Sequence, residues 1–244
     1  MNQNPMKNQA IRRESQSGNV LFIILIGIAL FVALSLVMTR TSRVSSGELT
    51  DTQARLAATE ILAYADAVRS GVKSLLISGV PPENVSFEMV SQSRQNGTPY
   101  IAAVNGCSVD SCKVFKPAGG GVSELNFENY ATMDSWWDPN NVHVGGIDFM
   151  LARIEGVGTT ASDFVMRVLQ VNSAVCNELN KMVGLEGVSI VRDSGNFYGI
   201  YGDMKTKMAA TDMYIYGLSN PKLNGARAFC TTDDRFIQLV VYAR

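Results

Sequence analysis

Ser17-Gly18-Asn19-Val20-Leu21-Phe22-Ile23-Ile24-Leu25-Ile26-Gly27-Ile28-Ala29-Leu30-Phe31-Val32-Ala33-Leu34-Ser35-Leu36-Val37-Met38 is the stretch on which the reading of this chain turns. Residues 20–38 carry no charge and no proline. As a helix they would rise about 28 Å, close to the hydrocarbon thickness of a bilayer. A cleaved secretory signal would have an apolar region of about 7–15 residues followed by small residues at a cleavage site. Here the run is longer, and Thr39-Arg40-Thr41-Ser42-Arg43 follows it. A buried core helix would show a polar face, and only Ser35 interrupts this run. The reading is therefore a membrane anchor, with lipid as its first partner.

Working outward, Lys7, Arg12 and Arg13 precede the run, and Arg40 and Arg43 follow it. This asymmetry leans towards a cytoplasmic N-terminus. The four cysteines, Cys107, Cys112, Cys176 and Cys230, all lie downstream of the anchor, and their even number suits an oxidising compartment. Neither the paired spacing of a zinc site nor the two-residue spacing of a thioredoxin-like motif is present. A net charge of −1 gives no electrostatic footprint for nucleic acid, so none is expected as a partner. An apolar content of 46% excludes wholesale disorder.

Beyond the anchor, Leu56, Ile61, Ala65, Val68, Val72, Leu75 and Leu76 fall mostly at three- and four-residue steps. Thr50 or Asp51 would cap a new start, and Gly79 with Pro81-Pro82 would end it. The economical reading is one helix from about 20 to 78, kinked near 45, whose second half lays an apolar stripe on a globular domain. After Pro82 short apolar pieces alternate with turn residues, which predicts strands over 85–90, 99–104, 112–115 and 147–155. The last carries apolar residues on both faces, as a covered central strand would. Phe164, Val168, Val171, Val175, Leu179 and Met182 predict a second helix over 162–183, capped by Ser162 and ended by Gly184 or Gly187. Residues 226–232 and 235–243 predict a final strand pair. Four cysteines allow three pairings. With Cys176 on the helix and Cys230 on a strand, the pairing favoured is Cys176–Cys230, a staple from helix to sheet. Cys107–Cys112 would then close a small loop.

In plan the chain resembles type IV pilins and the pseudopilins of type II secretion. The shared features are a short basic leader ending in glycine, about twenty apolar residues, an amphipathic continuation and an antiparallel sheet. The resemblance is specific over residues 7–40 and architectural beyond. It implies an α+β fold: a long N-terminal helix, membrane-spanning in its first half, packed on a mainly antiparallel sheet with one further helix. It implies four segments: a leader over 1–18, a transmembrane helix over 19–40, its amphipathic continuation over 41–79, and an extracytoplasmic globular domain over 80–244. It implies processing between Gly18 and Asn19 by a prepilin peptidase, location in a bacterial inner membrane with the C-terminal domain periplasmic, and other pilin-like subunits as partners. The chain departs from the pattern at Ile23, where the fifth mature residue is usually Glu, and at Asn19, where Phe or Met usually begins the mature chain. Glu14 also intrudes in the basic leader. The family's Glu is thought to meet a neighbour's N-terminal ammonium, and some minor tip pseudopilins also lack it. The function expected is a minor or tip structural subunit. The alternative is a single-pass, membrane-anchored periplasmic binding or sensing protein that does not polymerise.

Chemistry is sparse. His143 is the one histidine. There is no Gly-x-Ser-x-Gly elbow, phosphate loop or His-Glu-x-x-His motif. No catalytic residue, enzyme activity or obligate cofactor is expected. Asp134, Asp138 and Asn140, around Trp136 and Trp137, place hard oxygen ligands at short spacing, as a calcium loop would. The loop lacks the EF-hand glycine and glutamate, and an Asp/Asn turn flanking two buried tryptophans is the stronger reading. Residues 195–202 mix glycine with aromatics and read as a strand with glycine bends.

Overall fold

The computed structural model describes residues 24, 26, 28, 49–89, 106–125, 127–130, 146–196, 198–199, 204–210, 213–233 and 235–244. The chain divides into two compact units, Met1–Gly47 and Glu48–Arg244. In the first, Ile24, Ile26 and Ile28 are helical and exposed. The rest of the apolar run lies outside the described residues. Among the described residues no helix is long and apolar enough to cross a membrane.

The second unit is α+β. Helix α1 is Asp51–Ile77. It does not run on from the preceding chain as expected, because Thr50 is extended (φ −65°, ψ 153°) and caps it. The Thr50 hydroxyl accepts from the Gln53 N–H at 3.4 Å, and the Gln53 side chain accepts from the Thr50 N–H at 3.1 Å. This reciprocal box satisfies donors that would otherwise be orphaned. The helix ends as Gly79 did predict. Gly79 takes φ +88°, its N–H bonds Leu76 O, and the Val80 N–H bonds Leu75 O. That is the two-bond termination a left-handed glycine permits. Ile61, Ala65, Val68, Val72 and Leu75 are buried as the periodicity predicts. Leu56 is not: it is 65% exposed, and Ala54, Ala57 and Ala58 take the inward positions. Alanine there lets the helix backbone approach its neighbours closely.

Five strands stand in the order β3-β1-β2-β6-β5, and β4 adds to β1. They are β1 Ile147–Ile154, β2 Asp163–Val168, β3 Tyr198–Gly199, β4 Tyr214–Tyr216, β5 Ala228–Cys230 and β6 Ile237–Tyr242. All pairs are antiparallel except β1 with β4. Alternation along the strands feeds two cores. Ile147, Phe149 and Leu151 join Phe164, Met166, Ile237 and Leu239 under α1. Met150, Ala152 and Ile154 join Val165, Val240 and Phe229 on the opposite side, covered by Leu185, Val188, Ile190 and Tyr216. The central strand expected at 147–155 is therefore covered on both faces.

Double coverage also explains the largest correction. The helix expected over 162–183 is two elements, strand β2 and helix α2, Ser173–Met182. All six residues of β2 are buried. A strand buried on both faces is apolar at nearly every position, so it contains helical spacing by default. The helix cap is Asn172, whose side chain accepts from the Ala174 N–H at 2.9 Å, not Ser162. The end is as expected: Gly184 at φ +78° donates to Lys181 O, and Leu185 N–H to Asn180 O. A further short helix, α3, spans Met204–Met208. The strands expected at 85–90 and 112–115 reduce to one bridge, Ser86 with Lys113. The strand expected at 99–104 lies outside the described residues. The final strand pair is β5 with β6.

Both favoured disulfides are present, Cys107–Cys112 and Cys176–Cys230. The second joins α2 to β5 across a sequence separation of 54. Replacing Cys176 and Cys230 together with serine should lower stability by about 2–5 kcal/mol, and the Cys107/Cys112 pair should cost less because its loop is short. Urea denaturation followed by circular dichroism checks both.

Candidate functional site

Helix α1 presents an outward stripe of Thr52, Leu56, Thr59, Ala63, Ala67, Ser70, Ser74 and Ile77, all exposed. The steps are three or four residues throughout, so the stripe runs the length of the helix on one side. It holds no charge, and Leu56 and Ile77 are its two large apolar residues. Charged Arg55, Glu60, Asp66 and Lys73 lie to either side. Midway along, a groove of about 480 Å³ separates the helix from residues 120–125. Ala67, Ser70 and Gly71 form one wall, and Val122 and Leu125 the other. Tyr64 closes its floor. The Tyr64 hydroxyl donates to Ser123 O at 3.0 Å and accepts from the Leu125 N–H at 3.4 Å. Burial pushes the Tyr64 phenol up to about 12, so it stays a neutral donor.

The other end of the sheet is gripped by α2. Cys176 and Asn180 stand one helical turn apart, and both hold Cys230. Asn180 Nδ2 donates to Cys230 O at 2.9 Å, and the Cys230 N–H donates to Asn180 Oδ1 at 2.7 Å. One carboxamide thus replaces the peptide group of an absent neighbouring strand. A polar groove of about 540 Å³ lies beside it, lined by Asn177, Glu178, Lys181, Ser189 and Thr232.

Two groups of buried polar side chains complete the inventory. On the sheet face away from α1, Arg167 Nε donates to Asp148 Oδ1 at 2.7 Å, and Nη2 to Oδ2. The guanidinium lies 5.2 Å from the centre of the Phe236 ring. Gln238 continues this row across β6, fully buried, and neither of its amide atoms has a hydrogen-bond partner among the described residues. At the start of β2, Asp163 is also fully buried. Its Oδ1 accepts the Arg244 N–H at 3.0 Å, while Oδ2 has no hydrogen-bond partner among the described residues. Burial raises the Asp163 carboxyl to about 6, against the backbone N–H groups of Arg244 and Ile154 and the charges of Arg227 and Arg244.

Of the site residues expected from sequence, the four cysteines are brought together in pairs. Gly18 and Asn19 lie outside the described residues, as do Asp134, Asp138, Asn140, Trp136, Trp137 and His143. Among the described residues no three acidic, histidine or cysteine side chains gather to hold a metal. Sequence reasoning missed Asn180 and Asp163. Asn180 had a signal, since it stands four residues after Cys176 on the same helix face. Asp163 had one as well: an acid opening a run in which every following position is apolar or flanked by apolar residues. Comparison with known protein families, with curated proteins and with solved structures finds no match to this chain.

Asp163 makes a pH prediction. Its folded value, about 6, lies above the ordinary 3.8, so between those values the folded chain holds more protons than the unfolded one. Stability should therefore fall as pH rises from about 4 to just above 6, by about 2–3 kcal/mol. Asp163→Asn keeps an acceptor for the Arg244 N–H and removes the charge. It should flatten that dependence and stabilise the chain near neutral pH, as urea titrations across the window would read.

Proposed function

We propose that this chain is a minor or terminal subunit of a pilin-like bacterial envelope assembly, of the type II secretion or type IV pilus kind. Residues 19–40 would anchor it in the inner membrane, with the N-terminus cytoplasmic and 80–244 periplasmic. The observation that carries this reading is the sequence of three parts: an uncharged run of bilayer length, then an amphipathic helix, then an antiparallel sheet beneath that helix. The uncharged outward stripe on α1 supports it, because a helix that served only to cover a sheet would turn charge to water there. Exposed helical Ile24, Ile26 and Ile28 suit a lipid-facing or subunit-facing segment. A second reading, a non-polymerising anchored binding protein, draws on the polar groove beside α2.

The terminal position follows from Ile23. Once Gly18 is removed, Asn19 carries a free ammonium, and copies of this helix offer no carboxylate at the fifth position to meet it. Contacts between apolar helices in lipid have no hydrophobic driving force of their own. A neighbour carrying the usual Glu can accept this ammonium, while this chain returns nothing. The chain would then add to a filament and not build its shaft.

Two tests follow. A periplasmic reporter enzyme fused after residue 80 should be active, and a cytoplasm-dependent one inactive; the opposite pattern removes both readings. N-terminal sequencing of protein from native membranes should begin at Asn19 for a subunit and upstream of it for a plain anchor. Expressed with its peptidase alone, the chain should form no long filaments, and Ile23→Glu should promote self-assembly. Filaments made only of the unaltered chain would refute the terminal assignment.

A further inference from the structure

We propose that Asp163 and Arg244 form a proton-gated clasp between the start of β2 and the end of β6. With its carboxyl neutral, Asp163 holds only the backbone of Arg244; once ionised, it also takes the Arg244 guanidinium. The inference rests on the globular unit alone and is independent of the assembly reading above.

Asp163 is fully buried, and its Oδ1 accepts the Arg244 N–H at 3.0 Å. The residue that carries the guanidinium therefore already touches the carboxyl through its main chain. Two atoms of this pair are left over. Asp163 Oδ2 and Arg244 Nη1 are both buried, and neither has a hydrogen-bond partner among the described residues. A buried polar atom without a partner carries its full desolvation cost. Here each is the complement of the other, because an ionised carboxylate only accepts and a guanidinium only donates. Bringing them together needs only rotation about the side-chain torsions of Arg244. Its main chain is fixed, with its N–H on Asp163 and its carbonyl accepting the Thr159 N–H, close over Gly158.

The charged groups on the surrounding elements leave the guanidinium to answer the carboxyl. Arg227, just before β5, and Arg244 both act on Asp163. β1 brings Arg153 and Glu155, which pair with each other at 3.0 Å. α3, which Ser162 meets through Met208 O at 3.4 Å, brings Lys205 and Lys207. Burial opposes ionisation and holds the carboxyl at about 6. As the side chains stand, the Arg227 charge weighs on Asp163 more than the Arg244 charge does. Closing the clasp reverses that order, because an ion pair in contact outweighs a charge held at a distance. Above the midpoint the proton leaves to water, and the guanidinium joins the backbone bonds that tie the end of β6 to residues 159–163. In acid the backbone bonds act alone. The clasp limits the fall in stability expected across this window and does not reverse it.

The test follows isotope-labelled aspartate carboxyls by NMR in the full chain in detergent, with Asp163→Asn to assign the Asp163 signal. The unaltered chain should show a midpoint of about 6. Arg244→Gln should raise that midpoint by about one pH unit or more, and Arg227→Gln by about half a unit or less. An Asp163 that does not titrate, equal shifts from the two variants, or a larger shift from Arg227→Gln overturns the proposal. A second measurement needs no variant at all, so it stands even if Arg244→Gln fails to fold. In the unaltered chain the Arg244 Nη protons should exchange with water slowly above the Asp163 midpoint and rapidly below it. Guanidinium exchange that ignores the titration of Asp163 overturns the proposal equally.

Discussion

Burial of the β1–β2–β6 sheet on both of its faces is the constraint on which the other elements depend. A sheet of three adjacent strands whose apolar residues fall on both faces cannot leave either face to water. One face shares a core with α1, which packs on β6, and there Phe87 stacks 4.3 Å from Phe149. The other is covered by the chain that follows α2 and by the segment around β4. Arg69 ties helix to sheet at the irregularity in the β2–β6 register, where its Nε donates to Val240 O at 2.7 Å.

Polar groups inside this double-faced sheet are arranged unevenly. Asp148 and Arg167 answer each other with two bonds in a fork geometry, which offsets much of the desolvation cost of a buried pair. Asp163 has one carboxylate oxygen bonded and the other without a partner among the described residues. Its charge state is therefore decided by burial more than by partners. The fold tolerates this because Asp163 opens β2 where the sheet ends and the backbone of Arg244 reaches it. Gly158 allows the approach: a Cβ there would stand 2.3 Å from Arg244 O.

The two ends of the molecule's organisation serve different demands. α1 buries one stripe and carries another that is uncharged along its whole length. α2 is short, with only Val175, Cys176, Leu179 and Asn180 inward, and it depends on covalent and amide contacts to Cys230. A ten-residue helix has little packing area of its own, so the staple supplies what propensity cannot.

Much of this was legible from residues alone, because the signals are local. Spacing of apolar residues placed α1, Gly79 and Gly184 marked helix ends, and two-sided apolarity marked β1 as central. Cysteines on a helix and on a late strand suggested the staple. The bilayer-length run and Ile23 carry the functional reading, and they are properties of the sequence itself. Tertiary structure decided the rest. That residues 163–168 are a strand and 173–182 a helix depends on β1 and β6 lying to either side of β2, a long-range fact that apolar spacing cannot encode. That Leu56 faces outward while Ala54, Ala57 and Ala58 face inward depends on how close the sheet and α2 come to the helix. That Asn180 closes a strand edge depends on a residue fifty positions away. Local chemistry selects an element's type when one face is buried; where both faces are buried, or a backbone group must be answered from afar, only the assembled neighbours choose.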